Sequence, residues 1–236
     1  MRSRAVSPSI RHAFMGLRWP EDREKARRMQ ASLAKRLVIR PLEKTPSHIA
    51  GVDAAFLDDK IICVACLYGF PELVLVEESH VVREAKFPYI PGMLSFREGP
   101  AIIECIERLK TRPDLVIFDG QGIAHPLRLG IAACVGMMLD IPSIGCAKSR
   151  LVGEHDEPRK KKGSSTPLVH RGSIVGAVLR TRTGVKPVFV SPGHRIDVRG
   201  SIDMIMRSCG RYRLPEPVRR ADMLSKRIKR LLTEES

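Results

Sequence analysis

Long apolar runs are missing from this chain of 236 residues. A membrane-spanning helix needs about 18 uninterrupted apolar residues. The longest candidate, IAACVGMMLDIPSIGCA, is broken by Asp140 and Pro142, so a membrane is not an expected partner. The first twenty residues have no apolar stretch of the kind that marks a secretory leader. They carry arginines and serines without a single acid; this faintly resembles a transit peptide, and reads better as a disordered basic extension over residues 1–19. The remainder, 20–236, shows no internal repeat and no linker long enough to divide it. One domain is expected there, in a cytoplasmic, monomeric protein.

Thiol–metal chemistry is lacking as well. CVAC pairs Cys63 with Cys66, but it lies in the strand-like KIICVACLYGF, where positions i and i+3 face opposite sides. No second CxxC and no HxxxH completes a site. Cys63, Cys66, Cys105, Cys134, Cys146 and Cys209 therefore read as small buried apolar residues in a reducing compartment.

Acidic residues are in short supply. Asp and Glu number 26 against 41 Lys and Arg, a formal charge of +15 with a pI near 10.0. A field of that sign attracts polyanions, nucleic acid first. The excess is uneven: residues 1–40 hold 11 basic and 3 acidic side chains, RKKK occupies 159–162, and 11 basic face 6 acidic from Arg195 onward.

The order of elements is legible from periodicity. EDREKARRMQASLAKRLV after Pro20 predicts a helix, acidic in its first turn. HIAGVDAAF, KIICVACLYGF and LVLVEESHVV predict three strands, and their short connections require antiparallel neighbours. GPAIIECIERLK places Ile102, Ile106 and Leu109 on one helical face, with Glu98 opening that helix. PDLVIFDGQG (strand), PLRLGIAACVGMML (helix) and IPSIGCAKS (strand) form a parallel, right-handed βαβ unit. A basic loop over 152–166, a hairpin-like SIVGAVLRTRTGVKPVFVS and two terminal helices follow. The expected fold is α/β: a ribonuclease-H-like mixed sheet, antiparallel meander plus parallel βαβ, flanked by helices.

Three acids stand out by context. Asp53 interrupts the apolar IAGVDAAF, where a charge is costly unless paired or metal-bound. Asp119 ends LVIFD, at the strand terminus where open α/β sheets gather ligands. Glu98 also has an ordinary explanation as a first-turn glutamate. If all three lie at one place, they repel: two carboxylates about 4 Å apart cost roughly 4 kcal/mol at an effective dielectric of about 20. Such a cluster calls for a divalent cation, and all-oxygen ligands select Mg²⁺, with Mn²⁺ a substitute, over zinc. In a basic protein this points to phosphodiester hydrolysis. A ribonuclease-H-like protein that grips nucleic acid without cutting is the alternative. A nucleotide-using enzyme built on DGQG is disfavoured, for the full glycine fingerprint and the P-loop lysine are absent.

FPYIPGMLSFREGP is an odd stretch: Pro88 and Pro91 fix their own backbone and offer no N–H, and Pro91-Gly92 reads as a turn. It predicts a stiff loop that holds Tyr89 in a chosen place. Together with GVDAAF, FDGQGIAHPLRLGIA, IPSIGCAKSRLVG and LPEPVRRAD, this stretch resembles the endonuclease V family, from about residue 20 onward. The resemblance implies Mg²⁺-dependent nicking of strands with deaminated bases, chiefly inosine. It further implies cleavage at the second phosphodiester bond 3′ to the lesion, leaving a 3′-hydroxyl and a 5′-phosphate. DNA is the favoured substrate, and RNA stays open.

Carried across, Asp53, Glu98 and Asp119 match the family's metal-binding acids, and Asp222 falls where a further metal-side residue stands. Tyr89, flanked by Ile90 and Pro91, matches a wedge that fills the gap left by an extruded base. An aromatic ring there returns part of the lost stacking, and flanking prolines lower the entropy of ordering it. Backbone amides of Gly92, Gly120 and Gly122 are candidates for reading the hypoxanthine edge. His125 resembles a residue that contacts phosphate or positions water, although a lone histidine before proline is also a common structural hydrogen-bonder. Lys148 matches a lysine near the scissile phosphate. Leu127 departs from the family pattern, which commonly has a basic residue directly after HP; Arg128 follows one position later.

Overall fold

The computed structural model describes residues 19–234, so the basic extension expected over 1–19 lies outside the described residues apart from Trp19. Strands β1 (His48–Leu57), β2 (Lys60–Gly69) and β3 (Val74–Glu84) form the antiparallel meander. On the other side of β1 lies β4 (Leu115–Phe118), parallel to it, and then β5 (Ser143–Ala147), parallel to β4. Helix α3 (Ile131–Leu139) makes the crossover between β4 and β5. Beyond β5 the sheet continues antiparallel through β8 (Val188–His194), β7 (Ser173–Leu179) and β6 (Ser165–His170). The eight strands run in the order β3-β2-β1-β4-β5-β8-β7-β6.

Helices cover both faces because the central strands are apolar on both. Ile49, Val64, Cys66, Ile117 and Cys146 pack against α4 (Val198–Ser208) and α5 (Glu216–Glu234) through Met204, Ile205, Val218 and Ala221. Ala50, Val52, Cys63, Val116 and Phe118 face the opposite way, onto α2 (Leu94–Glu107) and α3. Cys63 and Cys66 thus enter different cores, and all six cysteines are free and buried. Helix α1 (Arg23–Ala34), capped by Asp22, buries Ala26, Gln30 and Leu33 along one stripe. No described helix is long and apolar enough to cross a membrane.

Three boundaries differ from the sequence reading. Helix α2 starts at Leu94, not near Gly99-Pro100, so Glu98 lies in its second turn with Pro100 inside the helix. Tertiary packing overrides the proline: Phe96 is buried against Phe87 and Trp19. Helix α3 begins only at Ile131, because 126–130 turn back and the Gly130 N–H bonds to the Gly122 carbonyl. Ser165 and Thr166 belong to β6 rather than to the basic loop. Pro167 hid that strand, and it is tolerated because β6 is the sheet edge.

Candidate active site

Register alone brings the first two acids together. Val52 pairs with Phe118 across the parallel β1–β4 ladder, and the Asp119 N–H donates to the Val52 carbonyl at 3.1 Å. Asp53 and Asp119 are therefore adjacent-strand neighbours at one level. With a side-chain period of two, Asp53 shares the face of Ile49 and Asp119 that of Leu115 and Ile117, which is the face α5 covers. Helix α5 comes close because residue 51 is glycine: a Cβ there would sit 2.1 Å from the Pro217 carbonyl carbon. That approach delivers Asp222. One carboxylate oxygen from each of Asp53, Asp119 and Asp222 lies within 4.8 Å of the others.

Lys148, just past β5 on the same face, is threaded into this group. Its Nζ lies 2.5 Å from Asp119 Oδ2 and 2.7 Å from Asp222 Oδ1, while Lys226 Nζ meets the other Asp222 oxygen at 2.7 Å. Burial alone would raise Asp222, but the two lysines hold it below its ordinary value. Burial would lower Lys148, yet hydrogen bonds to Asp119 and Asp222 keep it above the usual lysine range. Asp53 has less help. Burial, and then the Asp119 and Asp222 charges, push it up to about 6 against the donor Ser225. Ser225 Oγ donates to Asp53 Oδ2 at 2.5 Å. Glu98 is outside the group of three but within electrostatic reach. Burial first, then Asp53 and Asp119, raise it to about 7.

The tyrosine loop is rigid at its base and open at its tip. Phe87 and Met93 are buried on either side, and Arg97 Nη1 donates to the Phe87 carbonyl at 2.6 Å. The Met93 N–H closes a turn onto the Ile90 carbonyl at 2.9 Å, with Gly92 at φ +78°, a conformation that favours glycine. Two side chains grip the Gly92 carbonyl: Gln30 Nε2 at 2.9 Å and His125 Nε2 at 3.0 Å. Between these anchors Tyr89 is 67% exposed.

Both ring nitrogens of His125 face backbone groups. The Leu127 N–H donates to its Nδ1 at 3.2 Å, so Nε2 carries the proton given to Gly92. Both nitrogens are engaged, and burial pushes the ring down to about 4. It has no free nitrogen for a phosphate. Gly122 is likewise engaged: its N–H donates to Ser191 Oγ at 2.8 Å, and a Cβ would meet the Pro192 carbonyl oxygen at 2.0 Å. That glycine serves close packing under β8, and its amide already has a partner inside the protein. Gly120 also packs tightly, with a notional Cβ 2.6 Å from Ile131.

Sequence reasoning passed over Ser225, Gln30 and Arg213. Ser225 and Gln30 each had a signal, a polar residue on an apolar helical stripe: Val218, Ala221, Ser225 on α5 and Ala26, Gln30, Leu33 on α1. Arg213 had none. Its Nη2 joins the Lys148 and Pro187 carbonyls, at 2.9 and 2.7 Å, which fixes the main chain that carries Lys148.

The donor set fits a hard divalent cation, since it is made of carboxylate oxygen alone and burial, with neighbouring carboxylates, raises both Asp53 and the adjacent Glu98. Comparison with known proteins gives the same direction. The family model for Endonuclease V matches residues 31–223. An Endonuclease V of Dictyoglomus turgidum is 52% identical over 205 residues, 87% of this chain and 90% of the relative. The crystal structure of Endonuclease V from Streptomyces avermitilis has a TM-score of 0.87 at 37% identity, covering 91% of this chain and 96% of that one. Endonuclease V of Ciona intestinalis, solved with a 24mer DNA containing an inosine followed by a ribo-adenosine, shares the fold with a TM-score of 0.77. Its identity is 20%, over 89% of this chain and 98% of that one.

Proposed function

The chain belongs to the Endonuclease V family, and from that premise we propose that it nicks strands carrying deaminated bases, inosine foremost. Cleavage falls at the second phosphodiester bond 3′ to the lesion and leaves a 3′-hydroxyl and a 5′-phosphate. DNA is the favoured substrate. The non-cleaving alternative is set aside, because family members at this identity are nucleases. The observation that carries the reading is the convergence of Asp53, Asp119 and Asp222 near a rigidly based loop with an exposed tyrosine.

Asp53, Asp119 and Asp222, with Glu98 beside them, would hold Mg²⁺, and Mn²⁺ could replace it. When bound, the cation supplies charge for the phosphate and acidifies the attacking water. The protein's own residues do the rest. Lys148, held by the Arg213 bond to its carbonyl, places an ammonium where negative charge grows on the scissile phosphate. Ser225 orients the Asp53 carboxylate and favours its ionised form against the burial that raises it. Tyr89, with Ile90 and Pro91, enters the stack as the lesion leaves it, and the grip of Gln30 and His125 on Gly92 means that little ordering entropy opposes insertion.

A nicking assay on a duplex with a single inosine, in Mg²⁺ and in chelator, tests the reading. Metal-dependent cleavage at the stated bond is expected, with Asp53→Asn inactive yet still binding. Absence of cleavage in Mg²⁺ and Mn²⁺ would overturn it. Equal amounts of inosine in DNA and RNA, run side by side, decide the substrate.

A further inference from the structure

Two loops outside the carboxylate site are built around one buried arginine. Arg180, at the end of β7, is 6% exposed and directs its donors into both loops. Nη1 bonds to the Val185 carbonyl at 2.5 Å, Nη2 to the Pro158 carbonyl at 2.8 Å and to Glu157 Oε1 at 2.6 Å, and Nε to the Arg159 carbonyl at 3.3 Å. The main chains are laced together as well: the Gly184 N–H donates to the Lys160 carbonyl at 3.0 Å and the Gly163 N–H to the Arg180 carbonyl at 2.8 Å. The Lys162 N–H donates to Thr183 Oγ1 at 3.1 Å.

On the outer side of this frame Arg159, Lys160, Lys161, Lys162, Arg182 and Lys186 are all exposed. Among the described residues none of these six side chains has an ion-pair partner, and the adjacent Glu157 is engaged by Arg180. Like charges on a mobile loop would spread apart; here a guanidinium with a fixed fork of donors holds their backbones in one place against that repulsion. The position matters too. Arg213 ties Pro187, at the foot of the β7–β8 turn, to Lys148, and Ala147 pairs with Phe189. From Pro187 to Gly184 the chain spans at most about 11 Å. The frame therefore stands at the carboxylate end of the sheet. DNA rises about 3.4 Å per nucleotide along a strand, which puts the frame a few nucleotides from the cleavage position.

We propose that these two loops form a preorganised phosphate-binding platform for the nucleic-acid backbone flanking the nicked bond. The proposal rests on the nuclease reading above and extends its footprint. Its test is binding of the full chain to a long inosine-containing duplex in metal-free buffer, by fluorescence anisotropy across a salt series. Lys160→Gln/Lys161→Gln/Lys162→Gln should weaken binding at least tenfold at low salt and make the log–log salt slope shallower by up to about 2.7, at about 0.9 per phosphate contact. Its melting temperature and its turnover on saturating short substrate should match wild type. A control removes three charges from the opposite end of the sheet: Lys44→Gln/Arg171→Gln/Arg199→Gln should keep the wild-type slope. An unchanged slope in the first variant, or an equal change in the control, would overturn the platform. Failure of wild type to nick inosine would instead sink the nuclease reading, with the slopes still deciding the platform.

Discussion

Replacing Glu98 by glutamine should make the metal-free protein more stable at pH 8 and leave it unchanged near pH 4.5. Burial, with Asp53 and Asp119 nearby, raises this carboxyl from 4.5 to about 7. The folded state therefore keeps a proton through the window from about 4.5 to 7, whereas the unfolded chain has released it. Where the folded state binds more protons, stability falls as pH rises. The difference between those two values corresponds to roughly 3 kcal/mol, at about 1.36 kcal/mol for each tenfold ratio, all of it lost by pH 8. Asp53, raised to about 6, acts with the same sign over a lower window. The buried histidines His125 and His194, both lowered, act with the opposite sign below about 6.5. Comparing wild type with Glu98→Gln cancels those contributions. Thermal melts in chelator from pH 4.5 to 8.5 should show the two proteins together at the acid end and separated by roughly 5–10 °C at the alkaline end. Added Mg²⁺ should narrow the gap. A pH-independent difference, or a less stable variant at pH 8, would refute the assignment of Glu98 to the charged cluster.

Ser225→Ala should lower Mn²⁺ affinity at pH 7 about tenfold, read by electron paramagnetic resonance, because Asp53 loses the Ser225 hydroxyl donor and a hydrogen bond to a charged group is worth about 1.5–3 kcal/mol. Ser225→Thr should retain the affinity, and equal affinities for all three proteins would contradict this role. Gly51→Ala should cost about 2–3 kcal/mol, seen as a lower melting temperature, since its methyl group meets the Pro217 backbone; a wild-type melt would show that α5 does not need the glycine.

The meander was legible because its strands are apolar and its connections are too short for anything but antiparallel pairing. The βαβ unit was legible because LVIFD and IPSIGCA bracket a helix-length apolar segment. Convergence of Asp53 with Asp119 then follows from register. What stayed hidden depends on distant chain segments. A glycine that reads a ligand and one that lets a strand pass look alike in sequence, and only the approach of the Pro192 carbonyl reveals the packing demand at Gly122. His125 was ambiguous for the same reason, until both of its nitrogens were seen to face backbone groups. Helix α2 began earlier than Gly99-Pro100 suggested because Phe96 finds Trp19 and Phe87, contacts that no local pattern encodes. Arg180 and Arg213 looked like any other arginine in a chain rich in them.

Lys148 gives the acidic site a tethered counter-ion of its own. Its one ammonium is shared between Asp119 and Asp222 and offsets part of their mutual repulsion before any cation is bound. A divalent ion held by those carboxylates would compete with that same ammonium for their oxygens, so on the proposed reading metal loading and release of Lys148 toward a phosphate would be coupled.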